Sequence, residues 1–105
     1  MEFIYTSIFD KQWEELNLDD DDAKDLEMFL CEKPDRGQVI EGTNGLRKTR
    51  WKIEGKGKRG GVRVIYLLVV HTFIYFITVY GKGRKDDLTP AEKKIFKQLV
   101  KKIKE

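Results

Sequence analysis

With 105 residues, 40% hydrophobic and 11% aromatic, the chain is long enough for one core over residues 1–105 and too apolar for global disorder. Its net charge of +3 conceals two opposed halves: residues 1–42 hold thirteen acids and four bases (−9), residues 43–105 five acids and seventeen bases (+12). A lone Cys31 and a lone His71 exclude an internal disulfide or a Cys/His zinc site, and no run approaches a membrane span, so a cytoplasmic, metal-free protein with no membrane contact and no leader peptide is expected.

In chain order, Glu2–Thr6 reads as a short first strand. Ser7 or Asp10 is the expected cap of a helix through Leu16 that buries Ile8, Phe9, Trp13 and Leu16. The acidic run Asp19–Asp22 precedes a second helix carrying Ala23, Leu26, Phe29 and Leu30, ended by Pro34 and Gly37. That run lacks the glycine and distal glutamate of a calcium loop; a helix N-terminus, which favours negative charge, explains it better. Strands follow at Leu46–Ile53, Val62–Val70 and Phe73–Tyr80, with a turn at Val69–Thr72 and a polar loop over Gly81–Asp87. Thr89-Pro-Ala-Glu92 is a capping box with proline at the first helical position. The last helix places Ile95, Phe96, Leu99, Val100 and Ile103 on one face and lysines on the other. The pattern predicts an α+β domain: two N-terminal helices, a mainly antiparallel sheet and a C-terminal helix, with the helices on one face of the sheet.

The stretch Gly45–Tyr66 is a basic hairpin. It holds eight cations (Arg47, Lys48, Arg50, Lys52, Lys56, Lys58, Arg59, Arg63) against Glu54 alone. Cations at that density repel one another, and a polyanion is the usual reason to tolerate them. Residues i and i+2 of a strand share a face, so Lys48 and Arg50 project together with Lys52 behind them. Arg63 interrupts an otherwise apolar strand and must reach either a carboxylate, with Glu54 and Asp87 as candidates, or a ligand anion shared with Lys48 and Arg50. The loop Gly55–Gly61 lacks the spacing of a nucleotide-binding loop and leads into no helix; a basic loop lying along a phosphate backbone suits it better. Tyr66, Tyr75 and Tyr80 lie in strands, either as sheet packing or as platforms for an unpaired base, and Tyr80 is the best placed for stacking. Cys31 reads as a core or helix-end thiol and His71 as a turn residue. Without a Ser–His pair, metal cluster or carboxylate dyad, any catalysis falls to Lys, Arg and Tyr. These suit RNA, whose 2′-hydroxyl is a built-in nucleophile.

Three segments, Val39–Arg50, Gly55–Tyr66 and Val79-Tyr-Gly-Lys82 followed by the terminal helix, carry a resemblance to the HigB branch of the RelE/ParE toxin superfamily. The element order agrees over nearly the whole chain. The resemblance implies a ribosome-dependent mRNA endoribonuclease (mRNA interferase) that enters the A site and cuts the codon without metal or other cofactor, through 2′-oxygen attack. It implies a cognate HigA-type helix-turn-helix antitoxin, with operator DNA bound only through the toxin–antitoxin complex. By position, Arg63 would hold the scissile phosphate. Lys48 and Arg50 would stabilise charge, one of them assisting deprotonation, and Lys82 would support the leaving group. Lys56, Lys58 and Arg59, with Arg47, Lys52 and Arg84, would contact RNA backbone. The chain departs from many relatives: Gly83 follows Lys82 where they carry arginine, and residues 81–105 hold no tyrosine. Base stacking then falls to Tyr80, Phe96 or ribosomal RNA. The second reading, of a different class, is a non-catalytic module that grips the ribosome through the same hairpin.

Overall fold

The computed structural model describes residues 1–53, 61–81 and 87–105. Their elements run β1 (Glu2–Tyr5), α1 (Ser7–Glu15), α2 (Asp20–Glu32), β2 (Gln38–Val39), β3 (Arg47–Trp51), β4 (Val62–Val69), β5 (Phe73–Gly81) and α3 (Pro90–Lys104). The strands form one sheet in the order β1-β5-β4-β3-β2. Only β1 runs parallel to its neighbour, pairing Glu2–Tyr5 with Phe73–Phe76. The expected α+β architecture is present, with one short edge strand, β2, added. No helix among the described residues is long and apolar enough to cross a membrane.

The helices occupy both faces of the sheet, not the one face expected. Phe9, Trp13, Leu26 and Leu30 of α1 and α2 join Val62, Val64, Tyr66 and Phe76 in a first core. Phe96 and Val100 of α3 join Ile65, Leu67, Ile77 and Tyr80 in a second. β4 is therefore apolar on both sides, which its unbroken hydrophobic run requires. Aromatic contacts bind the first core: Phe9 stacks on Trp13, and Trp13 on Trp51 of β3 at 5.7 Å between ring centroids.

Local chemistry fixes the helix ends. The cap of α1 is Thr6, correcting the expectation of Ser7 or Asp10. Thr6 is still extended (φ −73°, ψ 156°), as a cap must be, whereas Ser7 is already helical. Its hydroxyl accepts from Phe9 N and donates to Ile77 O at 3.0 Å, pinning α1 to β5. The helix closes with Asn17 in the left-handed region (φ 59°), where the Asn17 and Leu18 amides donate to the Glu14 and Trp13 carbonyls. Asp19 and Asp22 form a reciprocal capping box on α2, which accounts for two of the four consecutive aspartates. Thr89 and Glu92 do the same for α3.

Candidate active site

The register between strands brings the cations together. Arg50 of β3 lies directly opposite Arg63 of β4, and Arg63 directly opposite Tyr80 of β5. Lys48 sits two residues from Arg50, opposite Ile65. Ile65 and Tyr80 belong to the core beneath α3, so Lys48, Arg50, Arg63 and Tyr80 all project to the α3 face. Neighbouring strands lie about 4.8 Å apart, and like charges directly opposite one another destabilise a sheet. An anion bridging Arg50 and Arg63 removes that penalty.

Arg63 is only 5% exposed, while Arg50 opens to solvent. A guanidinium keeps its charge even at that depth, so Arg63 presents a fixed cation with little freedom of movement. Lys48 is ion-paired with Asp87, which lies two residues before the cap of α3. The Lys48 hydrogen bond and charge hold the Asp87 carboxyl below the ordinary aspartate range, with Lys93 adding to the effect. Asp87 thus completes a Lys–Asp pair beside the arginine row. The sequence offers it as a partner for Arg63, whereas in the fold it pairs with Lys48. Its one legible signal was an acid closing a basic loop just before a helix cap.

A β-bulge falls beside the row. The β4–β5 register shifts between Ile65 and Tyr66, leaving Ile77 as the extra residue. The Gln12 amide oxygen accepts from the Thr78 hydroxyl at 2.7 Å and from Val79 N at 3.0 Å. A helix of the first core thereby braces the strand that carries Tyr80. Just before β4, Gly61 (φ 66°) is compulsory, because a methyl there would lie 2.1 Å from the Trp51 carbonyl oxygen.

The remaining candidates divide. Arg47 projects to the other face, opposite Tyr66, and donates to the Asp35 and Gly37 carbonyls at 3.1 and 2.8 Å. It ties down the segment after α2. Lys52 is exposed one residue beyond β3. Lys56, Lys58, Arg59, Lys82 and Arg84, with Glu54, lie outside the described residues. Tyr66 is fully buried; its hydroxyl accepts from Gly37 N and donates to Pro34 O, so it is a structural post. Tyr80 and Phe96, at 5% and 6% exposure, pack in the second core, and a base could stack on either only by displacing that packing. His71 lies in the β4–β5 turn, and Cys31 is exposed near the end of α2.

The described site is thus an α+β sheet face on which Lys48 and Arg50 of β3 and Arg63 of β4 lie side by side, next to Tyr80 of β5. Over residues 6–105 the chain matches the family described as the RelE toxin of the RelE/RelB toxin–antitoxin system. The chain belongs to that family of toxins.

Proposed function

We propose that this toxin is a metal-independent endoribonuclease of the HigB type that cuts messenger RNA in the ribosomal A site. The observation that supports this reading best is the Arg50–Arg63 pairing with Lys48 on the same face. Three cations flanking one point suit a phosphorane, whose charge increases as the 2′-oxygen attacks. In the step, the 2′-oxygen bonds to phosphorus while the bond from phosphorus to the 5′-oxygen breaks. The 2′-hydroxyl proton leaves, and a proton is delivered to the 5′-oxygen. The products are a 2′,3′-cyclic phosphate and a 5′-hydroxyl.

Arg63, buried and held by the sheet, grips a non-bridging phosphate oxygen. Arg50, at the solvent edge, receives the entering strand. Lys48 is oriented by Asp87 and stabilises the developing charge. Lys82 is assigned to the leaving group by its place after β5. The ribosome supplies base stacking, since Tyr80 and Phe96 spend their rings on the core. A cognate antitoxin, of the HigA helix-turn-helix type, silences the toxin by covering this face or by blocking its entry to the ribosome, and carries the pair to operator DNA.

The test is Arg63→Ala, expressed alone, with primer-extension mapping of messenger ends and a ribosome-pelleting assay. Cleavage should fall by about 10²-fold or more, the scale of losing one donor to a developing oxyanion, while ribosome binding changes by only a few-fold. Unchanged cleavage would remove Arg63 from the site. A wild-type chain that arrests growth without cutting would establish the non-catalytic module instead.

A further inference from the structure

The exposed side of α3 carries a lysine ridge that the candidate site does not use. Lys94, Lys97, Lys101 and Lys104 recur at spacings of three and four residues, so they form one line along the helix. The opposite side is buried through Phe96 and Val100. Among the described residues, none of these four lysines is in an ion pair. The line ends where Lys104 Nζ donates to the Asn44 carbonyl at 2.8 Å. Two adjoining surface grooves share Asn44 and Lys101, one reaching Lys104 and the other Lys94 and Lys97.

A solvated face does not account for this arrangement well. Like charges three or four apart on a helix destabilise it, and three such pairs follow in succession. The helix dipole rewards Lys101 and Lys104 in the last turn but offers nothing to Lys94 in the N-terminal half or Lys97 at the middle. The ridge also has a direction. α3 starts three residues after Asp87, the partner of Lys48, and Lys93 adds to the field on Asp87. From Lys94 to Lys104 the ridge runs about 15 Å at 1.5 Å per residue, away from the arginine row and on the same side of the sheet.

We infer that the α3 ridge, with the Asn44 loop, is a second binding site for an RNA phosphate backbone, continuous with the arginine row. For the choice of RNA as the polyanion, the inference rests on the function proposed above. The site grips backbone and reads no bases, because it offers a line of point charges and no exposed aromatic ring.

The test compares Lys94→Gln/Lys97→Gln/Lys101→Gln with a control, Lys11→Gln/Lys24→Gln/Lys33→Gln, that removes the same charge from the acidic half. Glutamine keeps helix propensity, and thermal melts confirm that both variants fold. Binding to poly(U) and to ribosomes is measured across a salt series. The ridge variant should flatten the slope of log K against log salt on poly(U) by about 2, from roughly 0.7 per single-strand phosphate contact, with about tenfold weaker binding at low salt. The control should change far less. Weakened binding to both targets supports a general backbone site. Weakening on ribosomes alone supports the site with ribosomal RNA as its source. An unchanged slope on both, or an equal effect of the control, overturns the inference. Because the poly(U) arm needs no cleavage, it gives an answer even if the chain proves not to be a nuclease.

Discussion

Asp87 pairs with Lys48 on the arginine-row face, and its titration is a direct handle on that face. Its folded-state pKa lies below the ordinary 3.8, chiefly because of Lys48. The pair therefore contributes stability above the unfolded pKa and loses it as pH falls through the folded value. Asp87→Asn should melt below wild type at pH 7, and the gap should close as pH drops below 3.8; melts at a series of pH values check this. A gap that stays constant into acid would mean that the pair does not act through charge. The variant should also lower the turnover of messenger cleavage more than ribosome affinity, since it removes the charge that pairs with Lys48 without removing Lys48. Some of this residue-scale chemistry is legible in sequence. Arg63 stands out as a cation inside an apolar run, and the acids at Asp19–Asp22 and Thr89–Glu92 follow capping patterns. The Lys48–Asp87 pair is not legible, because its partners are 39 residues apart and meet only through the packing of α3. Gln12, reaching 66 residues to Thr78, is hidden for the same reason.

Among the elements, the tightest spot is the β4–β5 turn. Val70 and His71 both have positive φ, 44° and 59°, in a tight turn closed by Thr72 N donating to the Val69 carbonyl at 3.0 Å. A β-branched residue resists that conformation, and Asn-Gly suits it. Val70→Asn/His71→Gly should stabilise the fold by about 1 kcal/mol, read as a melting point several degrees higher, with cleavage unchanged. The turn is legible at Val69–Thr72; its strain is not, since Val70 and His71 carry no local sign of positive φ. The strands and helices were likewise readable from periodicity and caps. The placement of α3 was not. An amphipathic stripe shows that Phe96 and Val100 are buried, but not on which side of a sheet whose central strand is apolar on both. Ile95 was expected to share that burial and is instead 64% exposed, at the margin of the stripe. β2 is not legible in the sequence, because two residues are too short for a period.

For the molecule as a whole, the division of charge between the halves becomes a division between parts of the fold. The −9 half supplies α1 and α2 on one face of the sheet, and the +12 half supplies the arginine row and α3 on the other. Under the proposed function, such a dipole turns the basic side toward RNA during approach and keeps the acidic side away. Removing acids far from the site tests this. Glu14→Gln/Glu15→Gln/Asp25→Asn raises the net charge from +3 to +6 on exposed positions of α1 and α2. At low salt it should tighten binding to poly(U) several-fold, while slowing messenger cleavage in a translation extract as the toxin engages RNA in wrong orientations. The sequence displayed the imbalance of charge plainly. That it lay across a sheet, rather than along a tail, required the fold.

The parallel pairing of β1 with β5 also sets an order of events during synthesis. Glu2–Tyr5 leave the ribosome about seventy residues ahead of their partners, Phe73–Phe76. Thr6 and Gln12 wait as long for Ile77 and Thr78. Asp87 and α3, which complete the face bearing Arg63, follow later still. A growing chain with this connectivity therefore closes its sheet only after β5 has been made, and the face bearing Arg63 only after α3.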